Sequence, residues 1–426
     1  MALLRRRDFL LLFVGQGVSR LGDGLYTAVV VWLAWTLTHD PSAVALITTA
    51  TYAPAFLATL VGASYADRYD RRRLMIGTDL TRAAVVALAP ILLALGVLNL
   101  TVLAIGVALL ALIGAPFSPA RNAIVPQIAP AERLLEANGL LQVSFRAAFF
   151  VGPLLLAPLL AVLSLELVLA LDVITFLTSA ATLAAIRVRP AAQTGETIGL
   201  RADLVAGFAA LRAEPDVLIV ITTFVLALVA ASGFLTVGVV ALVGDGFGGG
   251  NGTYGLLLGI AGVAEVFGAL ALARLRLRNL ALTAVLAWAL LGAFRFPLGL
   301  AETPVVAALL LAITGFASAL TDIPLIALVQ QRIPDRHLAK ALGLWEAGIA
   351  GALAVAPFLA AATIEQAGVR SAFMLSGVAL IAIAAIAAIA ITRVRARPSP
   401  GPSTDGALEL IGSGRRPYTS HSTPEV

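Results

Sequence analysis

The 426-residue chain contains no cysteine, a single lysine and only three histidines. Without cysteine it can form no disulfide, no thiolate nucleophile and no cysteine-based metal site. The lysine, Lys340, is followed by alanine, so the sequence has no Gly-Lys-Ser/Thr phosphate loop. His39, His337 and His421 are far apart and show no metal-ligand spacing. These absences argue against an enzyme and predict neither a metal nor a cofactor.

Charge is also scarce, because only 12% of the residues are charged while 60% are apolar. A soluble domain has about twice that share of charge, which argues against a soluble protein or a nucleic-acid binder. The apolar residues fall into runs long enough to cross about 30 Å of hydrocarbon as helices. We expect helices because open sheet edges cannot lie in lipid. We therefore predict an all-α integral membrane protein with twelve transmembrane helices, at 9–37, 43–66, 74–98, 101–119, 139–163, 167–186, 217–242, 254–273, 280–300, 305–327, 341–363 and 371–391.

The basic residues predict the orientation of these spans. With the N-terminus in the cytoplasm, 24 of the 29 basic residues fall in cytoplasmic segments and only Arg370 falls outside. This asymmetry is the positive-inside pattern, so the net charge of +5 indicates topology rather than an acidic partner. Both termini are predicted to be cytoplasmic, in the inner (plasma) membrane of the cell.

An internal repeat divides the spans into two groups of six. The segment from Pro130 to Leu141 matches the segment from Pro334 to Trp345, and each follows the fourth span of its group. Duplicated halves with a site between them are typical of secondary transporters. We predict an N-terminal six-helix bundle, a cytoplasmic linker with an interfacial helix, a C-terminal six-helix bundle and a disordered cytoplasmic tail, at 1–190, 191–216, 217–393 and 394–426.

A loop motif follows the second predicted span and connects the chain to a known family. The segment GASYADRYDRRR resembles the Gly-x-x-x-Asp-Arg-x-Gly-Arg-Arg loop of the major facilitator superfamily. It departs from that loop in two places, because Ala63 rather than Gly62 stands four residues before Asp67 and Asp70 replaces the second glycine. The stretches GQGVSRLGDGL, PARNAIVPQIAPAERLLEANGL and HLAKALGLWEAG are similar to the enterobactin exporter and macrolide efflux branch. The resemblance implies the two-bundle major facilitator fold and a cytoplasmic gate motif, at Gly62, Asp67, Arg68, Arg71 and Arg72.

In that family the loop aspartate holds the cytoplasmic side shut. By resemblance, Asp67 would contact the positive end of the helix that begins near Ala341, with Arg71 to Arg73 locking it through charge pairs. The alternative is that these arginines only anchor the topology. Gly152 and Pro153 partially match the Gly-Pro motif of antiporters.

Charged residues within the spans are candidates for proton and substrate coupling, since each is costly in lipid. Asp23 and Arg20 are three positions apart, so they share a helix face and can pair. They form either a self-neutralised ion pair or a proton site controlled by the arginine. Glu265 has no basic residue three or four positions away and is either a second proton site or a neutral core residue. Asp79, Arg82, Asp172 and Glu346 lie nearer to predicted span ends, and we expect them to be structural.

The remaining candidates are two arginines and an aspartate. Arg146 and Arg295 are expected to pair with carboxylates across a cavity. Asp322, just before Pro324, is a gate element or the cap of a helix break. Tyr26, Trp32, Phe149, Phe234 and Trp345 could line an apolar cavity or face core and lipid.

Together these features predict a secondary transporter that works by alternating access. The expected activity is proton-coupled efflux of a small amphipathic organic compound of the drug, macrolide or siderophore class. Proton-coupled uptake of a small metabolite and a transport-inactive membrane sensor are the alternatives. The expected partners are substrate, protons and the lipid bilayer, with no nucleic acid, and the protein is expected to be monomeric.

Overall fold

A computed structural model describes residues 3–62, 70–130, 133–187, 200–272 and 277–395. All regular secondary structure in these ranges is helical. After a short 3-10 turn at Leu3–Arg5, the helices are α1 Arg7–Thr38, α2 Pro41–Gly62, α3 Arg71–Ala94, α4 Leu100–Gly114, α5 Phe117–Ile128, α6 Leu134–Leu160, α7 Leu165–Ala185, α8 Leu200–Ala213, α9 Pro215–Gly233, α10 Val239–Ala241, α11 Asn251–Leu272, α12 Leu280–Leu298, α13 Pro304–Arg332 and α14 Asp335–Arg395.

Each predicted span overlaps one of these helices, although the bounds differ. Within the described ranges, eight helical stretches are long and apolar enough to cross a membrane. The longest of them, Lys340–Arg395, is broken at Gly368, where φ is 80° and ψ is 156°. Since only glycine adopts such a backbone readily, Gly368 allows α14 to form two arms that correspond to the last two predicted spans.

The fourth predicted span, 101–119, differs most from the structure. Its helix ends at Gly114, and a separate helix, α5, begins at Phe117 after a turn that contains Pro116. Proline cannot donate a backbone hydrogen bond to the preceding turn, which explains the interruption. The segment after Pro116, mostly predicted as a loop, therefore forms a helix of its own.

The helices α1 to α7, here called the N-terminal set, pack around α1. Two glycines allow this close packing. A Cβ atom at Gly22 would lie 2.3 Å from Asp172 Oδ1 of α7, and one at Gly152 of α6 would lie 2.6 Å from the backbone nitrogen of Leu25. Both distances are too short for any side chain, so α1 is held tightly between α6 and α7.

The helices α9 to α14, here called the C-terminal set, contain an irregularity in their first member. Two π turns, Phe234–Gly238 and Leu242–Gly246, flank the three-residue helix α10. The residues from Val239 to Val243 are all buried. Such π turns interrupt the usual backbone hydrogen bonds and release carbonyl groups to other donors.

Several contacts join the two sets on one side of the molecule. This side, here called the far side, carries the turn between α1 and α2 and the bend at Gly368, opposite the helix ends with Arg7, Arg71 and Arg332. The rings of Trp32 and Tyr254 stack there with centroids 5.7 Å apart, and Thr49 Oγ1 donates to the carbonyl of Ala354 at 2.8 Å. Ser42 also donates a hydrogen bond to Glu365. The sets are thus joined at the far side.

Candidate functional site

Asp23 lies in the middle of α1 and is held by two arginines. It is about 24 Å along a helix of about 48 Å at the usual helical rise. Arg20 Nη1 lies 3.2 Å from Asp23 Oδ2, which confirms the predicted pairing of these two residues. Arg82 Nη2, from α3, donates to Asp23 Oδ1 at 2.7 Å. The carboxylate therefore has a guanidinium group on each oxygen.

Arg82 was expected to be a structural residue near a span end, and it lies farther along its helix than the predicted span indicated. The helix α3 begins at Arg71, so Arg82 is about 16 Å along it and can reach the middle of α1. Its guanidinium carbon also lies 4.1 Å from the centroid of the Phe176 ring, a cation–π contact. The Nε atom of Arg82 has no hydrogen-bond partner in the described residues.

Two further carboxylates surround this pair. Asp79 of α3 is completely buried, and neither of its oxygens receives a well-formed hydrogen bond from the described residues. The Ser179 hydroxyl accepts a hydrogen bond from Gln16 Nε2 at 3.1 Å, which leaves its own proton free to donate to Asp79. Asp172 of α7 is also buried, and its Oδ1 accepts from the Thr175 hydroxyl at 2.8 Å. The buried charges of α1, α3 and α7 thus form one cluster.

We call this group the coupling cluster; it comprises Arg20, Asp23, Asp79, Arg82 and Asp172. With every member ionised, the three carboxylates exceed the two guanidinium groups by one negative charge. Such an excess is expensive in a medium of low dielectric constant. A proton, a cation from solution or the nearby Arg121 of α5, whose charge acts on Arg20, would balance it.

Arg295 of α12 does not have the carboxylate partner that the sequence led us to expect. Within the described residues, its buried Nη1 donates to the backbone carbonyl of Ala231 at 2.6 Å. The neighbouring carbonyl, of Ala230, accepts from Ser376 Oγ at 2.6 Å. Both carbonyls lie just before the first π turn, where regular helical hydrogen bonds are interrupted. Arg295 therefore supports a helix irregularity, which no sequence pattern had indicated.

The other predicted coupling residues lie apart from the cluster or outside the described residues. Glu265 is in α11, about two turns before Leu272, and Asp322 is in α13. The side chain of Arg146 lies outside the described residues. Gly152 and Pro153 lie in α6 beside α1, where Gly152 contacts the backbone of Gly24 and Leu25. The Gly-Pro pair therefore lies directly next to Asp23.

The gate motif is only partly described. Gly62 ends α2 and Arg71 begins α3, whereas Asp67 and Arg68 lie outside the described residues. Within the described residues, Arg72 contacts backbone carbonyls, and the loop that would hold its expected charge partner lies outside them. Its Nε donates to the carbonyl of Leu183 at 2.8 Å, and its Nη2 donates to the carbonyl of Ala184. It thus caps the C-terminal end of α7, where unpaired carbonyls attract a cation.

Of the five aromatic residues proposed for a cavity, three have assigned ring contacts. Trp32 stacks on Tyr254 at the far side, as described above. Phe234 packs against Phe373, and Trp345 packs edge-on against Phe224 inside the C-terminal set. Tyr26 is buried beside the coupling cluster, and the side chain of Phe149 lies outside the described residues. Phe234 and Trp345 are therefore core residues.

A bundle of apolar helices with a buried charge cluster defines the class of the protein as a multi-pass membrane transporter. The profile of the transmembrane secretion effector family matches residues 1–401. The chain belongs to this family of the major facilitator superfamily and is a transporter rather than an enzyme.

Solved structures share the fold at low sequence identity. The bacterial homologue of the human lysosomal transporter Spinster, in an inward-facing and occupied conformation, has a TM-score of 0.68 at 13% identity, covering 92% of this chain and 98% of that one. The nucleoside transporter NupG has a TM-score of 0.70 at 13% identity, covering 90% and 99%. The human organic anion transporter MFSD10 has a TM-score of 0.65 at 18% identity, covering 90% and 99%. At these identities the likeness concerns the fold alone.

A curated relative matches part of the sequence. Macrolide efflux protein A of Streptococcus pyogenes is 25% identical over 181 residues. The match covers 42% of this chain and 44% of that protein, so it spans less than half the length of either.

Proposed function

We propose that this protein is a twelve-span secondary transporter that exports a small amphipathic organic compound in exchange for protons. The observation that carries the proposal is the mid-membrane pairing of Asp23 with both Arg20 and Arg82, beside two more buried carboxylates. A buried group that can gain and lose one charge is the minimum that proton coupling requires. The partial similarity to a macrolide efflux protein supports the export direction.

The topology proposed for this activity follows the arginine distribution. Both termini are cytoplasmic, the membrane is the plasma membrane, and the bundles of residues 1–190 and 217–393 rock about a midplane site. The contacts between the sets at the far side support a conformation closed toward the exterior. Asp67 serves as the cytoplasmic gate, and the protein acts as a monomer. Glu265 and Asp322 face the transport route as secondary sites.

The test is a transport assay in proteoliposomes with a pH indicator inside the vesicles and an imposed pH gradient. Three probes cover the proposed substrate class: a macrolide antibiotic, a lipophilic cationic dye and a catecholate siderophore. We expect at least one probe to change the internal pH. Asp23→Asn should abolish that response, whereas Glu302→Gln, in an exposed turn, should keep it. No response of the native protein to any probe would refute proton-coupled export.

Two alternative functions give other results in cells that overproduce the protein. An exporter should protect the cells against the transported probe, whereas an importer should sensitise them or support growth on the probe. A transport-inactive sensor should do neither and should leave the vesicle pH unchanged.

A further inference from the structure

Arg121 of α5 is a charged side chain inside the N-terminal set whose direct contacts are neutral. It is partly buried and lies about 10 Å before the end of α5 at Ile128, on the side opposite the far side. Its Nε and Nη2 donate to the side-chain oxygen of Asn122 at 3.4 Å and 3.2 Å. Within the described residues, no carboxylate forms an ion pair with it. The charge of Arg121 is therefore not neutralised by what it touches.

The charged group that acts on Arg121 among the described residues is a second arginine, Arg20 of α1. Two guanidinium groups repel each other, and the repulsion is stronger in the interior of a helix bundle than in water. Arg20 lies 3.2 Å from Asp23, but a guanidinium group has five N–H donors and can bind a second acceptor as well. Asp23 also has Arg82 at 2.7 Å, so it keeps a partner if Arg20 turns toward that acceptor.

Membrane topology alone does not explain the position of Arg121. A basic residue that only orients the chain needs to lie in water on the cytoplasmic side. Arg133 has such a position, because 46% of its side chain is exposed and it lies 3.6 Å from Glu136 on the same helix end. Arg121 is instead partly buried and close to another arginine, which costs desolvation and repulsion that topology does not require.

A solute can reach both arginines. The side chain of Arg20 is 22% exposed, Arg121 is partly exposed, and Asn122 beside it is exposed. The contacts of Trp32 with Tyr254 and of Thr49 with Ala354 join the two helix sets at the far side. The open approach to these arginines is therefore from the opposite side, where α5 ends.

We propose that Arg20 and Arg121 together bind an anionic group of the transported compound, a carboxylate or another oxyanion. An anion between two guanidinium groups replaces their repulsion with two attractions, and the planar fork of an arginine matches a pair of carboxylate oxygens. The inference rests on the proposed export function and adds the charge of the substrate. The substrate is then an amphipathic organic acid rather than a lipophilic cation.

The test uses two probes that differ in one charge, N-dansyl-leucine and its neutral amide N-dansyl-leucinamide. Binding to the purified full-length protein is measured by equilibrium dialysis in nanodiscs of phosphatidylcholine, and binding to empty nanodiscs is subtracted. We expect the native protein to bind the acid at least about tenfold more tightly than the amide, as hydrogen bonds to a charged group require. Equal or tighter binding of the amide would overturn the proposal without any variant.

The variants assign the preference to Arg121. In Arg121→Gln the ratio of the two affinities should fall to about one through weaker binding of the acid, while the affinity for the amide should stay the same. Arg121→Met, which keeps an apolar stem of similar length, gives the same test if the glutamine variant fails to fold. The matched control is Arg133→Gln, which also removes one positive charge and should keep the full preference. An unchanged preference in the Arg121 variants would refute the assignment.

These outcomes are separable from the proposed function. If the acid is preferred through Arg121 but no probe changes the vesicle pH, proton-coupled export is wrong and the anion site stands. If the lipophilic cationic dye is exported and the native protein does not prefer the acid, the export function stands and the anion site is wrong.

Discussion

The two helix sets each bury an arginine at membrane depth, but they satisfy it differently. In the N-terminal set, Arg82 binds Asp23, a group that can change its charge. In the C-terminal set, Arg295 binds the carbonyl of Ala231, which always has the same partial charge. A carboxylate partner can couple arginine movement to a proton, whereas a carbonyl partner can only fix a helix in place. Under the proposed proton coupling, Arg82 would take part in coupling and Arg295 would have a scaffold role.

The strongest test of this comparison is the same substitution at both arginines. Arg82→Gln removes the charge that balances Asp23, and breaking a buried charged pair costs about 3–5 kcal/mol. We expect proton-driven transport in the vesicle assay to fall to background. Arg295→Gln keeps a donor for the Ala231 carbonyl, and we expect proton-driven transport to stay within about threefold of the native rate. Loss of coupling in Arg295→Gln alone would reverse the comparison.

The tight contact between α1 and α7 provides the next largest effect. Gly22→Val would place side-chain atoms where Asp172 Oδ1 and the Thr175 hydroxyl lie, and overpacking of this kind costs about 1–3 kcal/mol. We expect a lower thermal unfolding midpoint in detergent and weaker coupling. The control is Gly106→Val in α4, where no neighbouring atom lies within 4 Å of the added Cβ. Equal losses in both variants would mean that the α1–α7 contact is unimportant.

The scaffold role of Arg295 predicts an effect on stability without one on coupling. Arg295→Met leaves the Ala231 carbonyl without its donor, at a cost of about 1–3 kcal/mol for a buried polar group. The unfolding midpoint should fall, while the number of protons exchanged per substrate should not change. Ser376→Ala, which frees the neighbouring carbonyl, should have a similar and smaller effect. A changed proton stoichiometry would contradict the scaffold role.

The smallest effect is expected at the edge of the far-side contacts. The hydrogen bond between Ser42 and Glu365 is exposed, and contacts of this kind contribute less than about 1 kcal/mol. Ser42→Ala should change the ratio of molecules closed at the far side to molecules open there by less than about fivefold. Because the chain has no native cysteine, Asp40→Cys and Gln366→Cys can carry spin labels that report this population. A complete loss of the closed state would show that this single contact holds the two sets together.

Much of the helical layout could be predicted from the sequence, and the cross-helix contacts could not. Apolar run length predicts each span, and three-residue spacing predicts the Arg20–Asp23 pair. The contact of Arg82 with Asp23 joins residues 59 positions apart and depends on how α1 and α3 pack. The carbonyl partner of Arg295 depends on a π turn, for which no residue pattern in α9 gave a signal. Sequence therefore identified the charged residues and the pair within α1, but not which residues meet across helices.

The two π turns that flank α10 determine which side of the following helix faces α1. A π turn holds one residue more than an α turn, and one residue in an α-helix corresponds to a rotation of about 100°. Deleting one residue within Phe234–Gly238 would convert that turn to α geometry and rotate all that follows by about that angle. Gly244, whose added Cβ would lie 2.2 Å from Trp35 Nε1, would then no longer face α1. The extra residue of the π turn thus sets the rotation at which Gly244 of the C-terminal set faces Trp35 of the N-terminal set.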